Sequence, residues 1–243
     1  RSQPELWQSM LAQHGNTFPE KLLADLISEL HIKGSLYVLR HGFKCYGKLF
    51  MLAYFKPVHS LNPDTVARYE HNRLTLTRQV PCHPNDGNTV DMLFSLNGIP
   101  VATCELKNPL TGQTWQHAVK QYKTDRNPNA PLFAFKRRAL VHFAADTEEV
   151  HMTTRINGDK TFFLPFNRGS APDELVCGKG NPQHHSGYRT GYFWEEVLER
   201  DSFLNILGRY MFLEVEEKKE LGTDGKMHLK KSETMIFPRY HQL

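Results

Sequence analysis

Apolar residues recur at helical spacing in the first part of the chain and at alternate positions in its middle, and these two periods divide the sequence into elements. Residues 6–11 and 18–30 read as helices. The second opens on Pro19, carries Leu22, Leu23, Leu26, Ile27 and Leu30, and meets Gly34 beyond its end. Asn62-Pro63-Asp64 opens a short helix running to about His71. Strands follow over 74–80, 89–96 and 99–106. Residues 114–124 form an amphipathic helix with Trp115, Ala118, Val119 and Tyr122 on one side. Further strands are expected at 139–144, 150–155 and 161–164, then a long loop over 166–191 rich in Gly, Pro, Asn and His, and a helix over 194–207. The highly charged stretch 214–231 is a linker or a solvated hairpin. Strands mixed with helices predict an α/β or α+β fold around a central sheet.

The pair of strands around Asn97-Gly98 carries an anomaly. Its pattern is built for burial, yet it holds Asp91 on the first strand and Glu105 and Lys107 on and beside the second. Glu105 and Lys107 share a face by alternation. Whether Asp91 joins them depends on the turn. A two-residue loop places Asp91 opposite Cys104 and separates the acids. A three-residue loop, with Gly98 left-handed in a bulge, pairs Ser95 with Ile99 and sets Asp91 opposite Thr103, uniting Asp91, Glu105 and Lys107. The second register leaves Val90, Met92, Phe94, Ala102, Cys104 and Leu106 as an opposite face free of polar side chains. One slip moves every side chain to the other face, so segregation favours the three-residue turn. Paired carboxylates repel unless a cation lies between them. Mg²⁺ suits such a pair, with the Leu106 carbonyl as a further ligand and Lys107 holding a water or offsetting charge on a phosphate. A Glu105–Lys107 surface ion pair is the plainer alternative.

Composition changes the picture at two points. The chain of 243 residues is long enough for one large domain with a small extension, and its net charge is only +4. The segment from Lys107 to Arg138, however, holds seven cations (Lys107, Lys120, Lys123, Arg126, Lys136, Arg137, Arg138) against Asp125, a local +6 that suits a polyanion such as nucleic acid. No apolar run approaches a membrane span, no signal peptide opens the chain, and the first residues read as the interior of a longer protein. The four cysteines, 45, 82, 104 and 177, form no C-x-x-C pair and read as cytosolic thiols. A zinc site from Cys82, His83, Cys177, His184 and His185 matches no familiar spacing.

An acid on one strand, E-x-K on the next and then a helix resembles the PD-(D/E)XK nucleases. Nearly the whole chain resembles the amino-terminal region of the R subunit of type I restriction enzymes. The likeness rests on "RHGFKCYGKLF", "NRLTLTRQV", "VDMLFSLNGIPVATCELKNPLTGQTW", "QYKTDRNP", "FKRRALVHFAADTEEVHMTTRINGDKTFFLPFNRG", "GNP" and "WEEVLERDSFLNILGRY". It implies a central mixed sheet flanked by helices, with Asp91 and Glu105 as metal ligands and Lys107 as the catalytic lysine. It also implies Mg²⁺ or Mn²⁺ as cofactor, double-stranded DNA as substrate and specificity and methyltransferase subunits as partners in the cytoplasm. Residues 1–210 would be the nuclease domain. Residues 211–243, ending in "IFPRYHQL", would be a charged linker toward an ATP-driven translocase, the only place where ATP would act. The family's Q-x-x-x-Y helix motif is broken here: Tyr122 is present, but Ala118 stands four residues before it. Gln121, Gln113 and Gln116 are the candidate glutamines, and Glu20 and Glu29 are candidates for a first-helix glutamate.

Arg73 and Arg78, on the strand before Asp91, and Lys120 and Lys123, one helical turn apart, are candidate phosphate contacts. Trp115 and Tyr122 read as core residues rather than base-stacking platforms, and His142 and His151 line strands. No G-x-x-x-x-G-K-[ST] and no G-x-S-x-G occurs. Two other functions compete: a non-catalytic DNA-binding or docking domain of a translocase, and a junction-resolving nuclease with the same site.

Overall fold

The computed structural model describes residues 2–82, 87–169, 180–221 and 226–243. Its centre is a six-stranded sheet ordered β3-β4-β5-β6-β7-β8, with β3 Leu74–Pro81, β4 Thr89–Leu96, β5 Ile99–Leu106, β6 Val141–Ala145, β7 Val150–Thr153 and β8 Leu164–Pro165. Among the described residues of this sheet only β5 and β6 run parallel; the sheet is therefore mixed. The crossover between these two strands carries the helix α5, Trp115–Thr124, as a parallel connection requires.

Helices cover both faces of the sheet. One face packs on the larger core, where Phe94, Ala102, Cys104 and Phe143 meet Met10, Phe18, Leu30, Val38, Phe203 and Leu207. These come from α1 Pro4–His14, α2 Phe18–Ile32, α3 Ser35–His41 and the segment around α6 Arg200–Asn205. The other face packs on a smaller cluster of Val90, Leu93, Tyr122, Leu132 and Phe133 beneath α5. Asn62 accepts from the Asp64 and Thr65 amides, and Pro63 opens α4, Pro63–Glu70, as the sequence indicates.

Several elements differ from the sequence expectation. α3 continues beyond Gly34, whose positive φ of 85° turns the chain where a Cβ would stand 2.7 Å from the Lys136 carbonyl. A small hairpin, β1 Phe43–Cys45 and β2 Lys48–Phe50, follows. The helix expected over 194–207 is instead three pieces, π-helical at Phe193–Val197 and Ile206–Tyr210 and α-helical between. Arg40 donates to the carbonyls of Leu207 and Met211, taking up acceptors that the wider turn leaves free. The charged stretch is a hairpin, β9 Phe212–Leu221 and β10 Met227–Ile236. Its base packs Leu213, Met235 and Phe237 into the main core, and residues 216–220 and 226–232 are exposed. Among the described residues no helix is long and apolar enough to cross a membrane.

Candidate active site

The turn between β4 and β5 is not the three-residue loop that burial favours. Asn97 and Gly98 both have positive φ, 51° and 87°, and Leu96 pairs directly with Ile99. Asn97 holds this left-handed geometry through its side chain. Its amide donates to the Leu52 carbonyl (2.7 Å) and Asn72 Oδ1 (3.0 Å), and its Oδ1 accepts from the Arg73 amide (2.8 Å). The odd residue lies further along β5. Ser95 pairs with Pro100 but Phe94 pairs with Ala102, so Val101 is the extra residue of a bulge. Proline offers no N–H to the ladder, and the pairing breaks beside it. The bulge restores the parity that the tight turn removes.

From Met92 opposite Cys104, the next step sets Asp91 opposite Glu105 rather than Thr103. Residues so opposed have Cβ atoms about 4.5–5.5 Å apart. Asp91 Oδ2 accepts from the Leu106 amide at 2.8 Å. The N–H and C=O of one strand residue point the same way, so the Leu106 carbonyl also opens toward β4. Asp91 Oδ1 accepts from Gln79 Nε2 at 3.0 Å. Lys107 follows on the same face, half-buried, and its ammonium has no hydrogen bond or ion pair among the described residues.

Glu105 is fully buried. Arg126, two residues past α5, donates to its Oε1 from Nε (3.0 Å) and Nη2 (2.7 Å), and Nη2 also donates to the Thr89 carbonyl (2.8 Å). The other oxygen, Oε2, is buried with no hydrogen-bond partner among the described residues. Burial pushes the Glu105 carboxyl up to about 7; Arg126 pulls it down and the Asp91 charge adds to the rise. An unbonded carboxylate oxygen beside a second carboxylate and a backbone carbonyl is the oxygen set that a hard divalent cation takes. Arg126 is the one member of the basic segment to be buried, and sequence counted it among seven surface cations. A carboxylate on a covered strand face needs a cation, and that need was the available signal.

Beneath the acids, Thr103 Oγ1 lies 2.8 Å from both the Tyr122 hydroxyl and His142 Nδ1. Burial pushes the His142 imidazole down to about 3, so it is neutral, and holds the Tyr122 phenol well above its usual range. Tyr122 is thus a core residue bonded to Thr103. Gln121 is half-buried beside it, Gln113 is exposed before the helix, and Gln116 accepts from Thr114; none bonds to either acid. Glu29 pairs with Lys33 along α2 (3.1 Å) and Glu20 is exposed, both without contact to the acids. Lys120 is exposed and Lys123 half-buried on α5. Arg78 pairs with Met92, on the face away from the acids. Arg73 lines a cavity of about 490 Å³ at the Asn97-Gly98 turn, roughly 20 Å along the strands from Asp91. Trp115 stacks on His151 at 3.5 Å.

Of the conceivable zinc ligands, His83 and Cys177 lie outside the described residues, and Cys82 is buried in the smaller cluster. His184 and His185 instead approach Glu195 Oε2 at 3.9 and 3.0 Å.

Residues 57–161 match the family model described as type I restriction enzyme R protein N terminus (HSDR_N). No curated protein and no solved structure matches. The matched segment, under half of the chain, holds β3 to β7, both acids, Lys107 and Arg126, and is where the chain is similar to the N-terminal region of the type I restriction enzyme R protein.

Proposed function

We propose that this is the Mg²⁺-dependent (or Mn²⁺-dependent) endonuclease domain of a type I restriction R subunit, with a PD-(D/E)XK core. It hydrolyses phosphodiester bonds of double-stranded DNA in the cytoplasm, and the specificity and methyltransferase subunits choose the site. The observation that carries this is Asp91 beside Glu105 on one sheet face, with Glu105 Oε2 buried and unbonded among the described residues. The match over 57–161 to the N-terminal region of the type I restriction enzyme R protein supports restriction as the setting.

In this mechanism Asp91, Glu105 and the Leu106 carbonyl hold the ion. When bound, the ion polarises a phosphoryl oxygen and makes its water more acidic. Lys107, whose ammonium has no partner among the described residues, orients the attacking water and offsets charge growing on the phosphate. Arg126 occupies Oε1 and leaves Oε2 for the cradle. Lys120 and Lys123 contact the DNA backbone without reading bases. Arg73 and Arg78 lie away from the acids and extend the footprint. ATP belongs to the translocase part of such subunits. Asp91→Ala, Glu105→Gln and Lys107→Ala in the assembled complex abolish cutting and leave ATP hydrolysis intact; wild-type cutting by Lys107→Ala overturns the assignment.

One observation favours a non-catalytic DNA-binding or docking domain: Arg126 already neutralises Glu105. Such a domain binds no divalent ion and works fully without its acids.

A further inference from the structure

Gln79 is the strained residue nearest the acids. It lies in β3, the edge strand of the sheet, between Arg78 opposite Met92 and Val80 opposite Val90, and so faces Asp91 across the ladder. Its φ is 51°, left-handed in mid-strand, where side chains other than glycine are disfavoured. The distortion sets the side-chain amide to donate from Nε2 to Asp91 Oδ1 at 3.0 Å. The amide cannot rotate freely, because the Thr89 hydroxyl donates to Gln79 Oε1 at 2.8 Å and so identifies which end is oxygen. A relay therefore runs from Thr89 through Gln79 to Asp91, on the side opposite the Leu106 amide. The two donors together fix both oxygens of the carboxylate.

We infer that Gln79 is a positioning residue for the cation site, held in an unfavourable backbone conformation so that its amide orients Asp91 toward Glu105, with Thr89 fixing the amide. The inference rests on the metal-dependent function proposed above. Partners of metal ligands commonly set affinity without touching the ion.

The test exploits the strain. Glycine adopts φ near 51° without penalty and has no amide, so Gln79→Gly separates fold from function. Mn²⁺ binding to this chain is measured by calorimetry, alongside the thermal unfolding midpoint without metal. Gln79→Gly is expected to weaken Mn²⁺ binding about tenfold, with the midpoint unchanged or raised. Thr89→Val, which removes only the hydroxyl, weakens it about threefold, and the double variant binds no worse than Gln79→Gly alone, because the two act in one relay. Wild-type Mn²⁺ affinity in Gln79→Gly overturns the inference, as does full additivity in the double variant. Glu105→Gln is the control. If the wild type shows no Mn²⁺ binding that Glu105→Gln removes, the cation site itself falls and takes Gln79's role with it. If that binding is present and Gln79→Gly retains it, only the role of Gln79 is lost.

Discussion

The buried Glu105–Arg126 pair allows a prediction with a sign as well as a size. Glu105 has a carboxyl near 7 in the folded protein, against 4.5 as its ordinary value. Between those values the native state holds a proton that the unfolded chain has released, so stability falls as pH rises through the window and is level above 7. From pH 5.5 to 7 the wild type crosses 1.5 units, about 2 kcal/mol at 1.36 per unit. In Glu105→Gln nothing titrates there; at pH 5.5 it exchanges one neutral group for another, and its stability relative to wild type rises by about 2 kcal/mol toward pH 8.5. Arg126→Met behaves oppositely. Without either donor the carboxyl moves up further, so the decline that ends near pH 7 in the wild type continues above it. Its cost relative to wild type therefore grows between pH 7 and 8.5. Urea unfolding of wild type, both single variants and the double variant at pH 5.5 and 8.5, followed by circular dichroism, measures these drifts. The double variant, with neither charge, lies closer to wild type than the sum of its parents. Costs of both single variants that stay constant with pH would refute a protonatable, desolvated Glu105.

Three further outcomes follow from the same geometry. Lowering the pH from 6.5 to 3 removes stability linked to His142, up to about 5 kcal/mol across 3.5 units; His142→Gln flattens this acid limb in unfolding experiments. Lys107→Ala changes unfolding free energy by less than about 0.5 kcal/mol, because its ammonium has no partner among the described residues; a larger loss of stability would assign the lysine a structural part. Asn97→Ala loses three side-chain hydrogen bonds and puts alanine at φ 51°, costing about 2–3 kcal/mol by urea unfolding, whereas Asn97→Gly, free of the strain, costs less.

The strands that carry the acids were legible because alternation over eight residues is a strong signal; β4 and β5 end where the pattern ends. The shared face of Asp91 and Glu105 was anticipated, but through the wrong turn. Burial constrains parity, and a three-residue loop and a two-residue loop with a bulge have the same parity. Pro100 was the clue to the second. α3 was hidden because Gly34 reads as a stop, although a glycine can turn a chain directly into another helix. The π-helical turns share their apolar spacing too closely with α-helix to be told apart. Arg126 and Gln79 were invisible for a different reason. One reaches Glu105 from 21 positions away, and the other depends on a backbone angle that no residue pattern encodes.

Because Val101 alone brings the two acids into step, the hairpin behaves as a counting device: what matters between Asp91 and Glu105 is whether the number of intervening residues is odd or even. Conservative replacements along β4 and β5 leave that count untouched, whereas deleting or inserting a single amino acid turns one carboxylate to the far side of the sheet. Length, more than chemistry, is thus the property of this segment least free to drift.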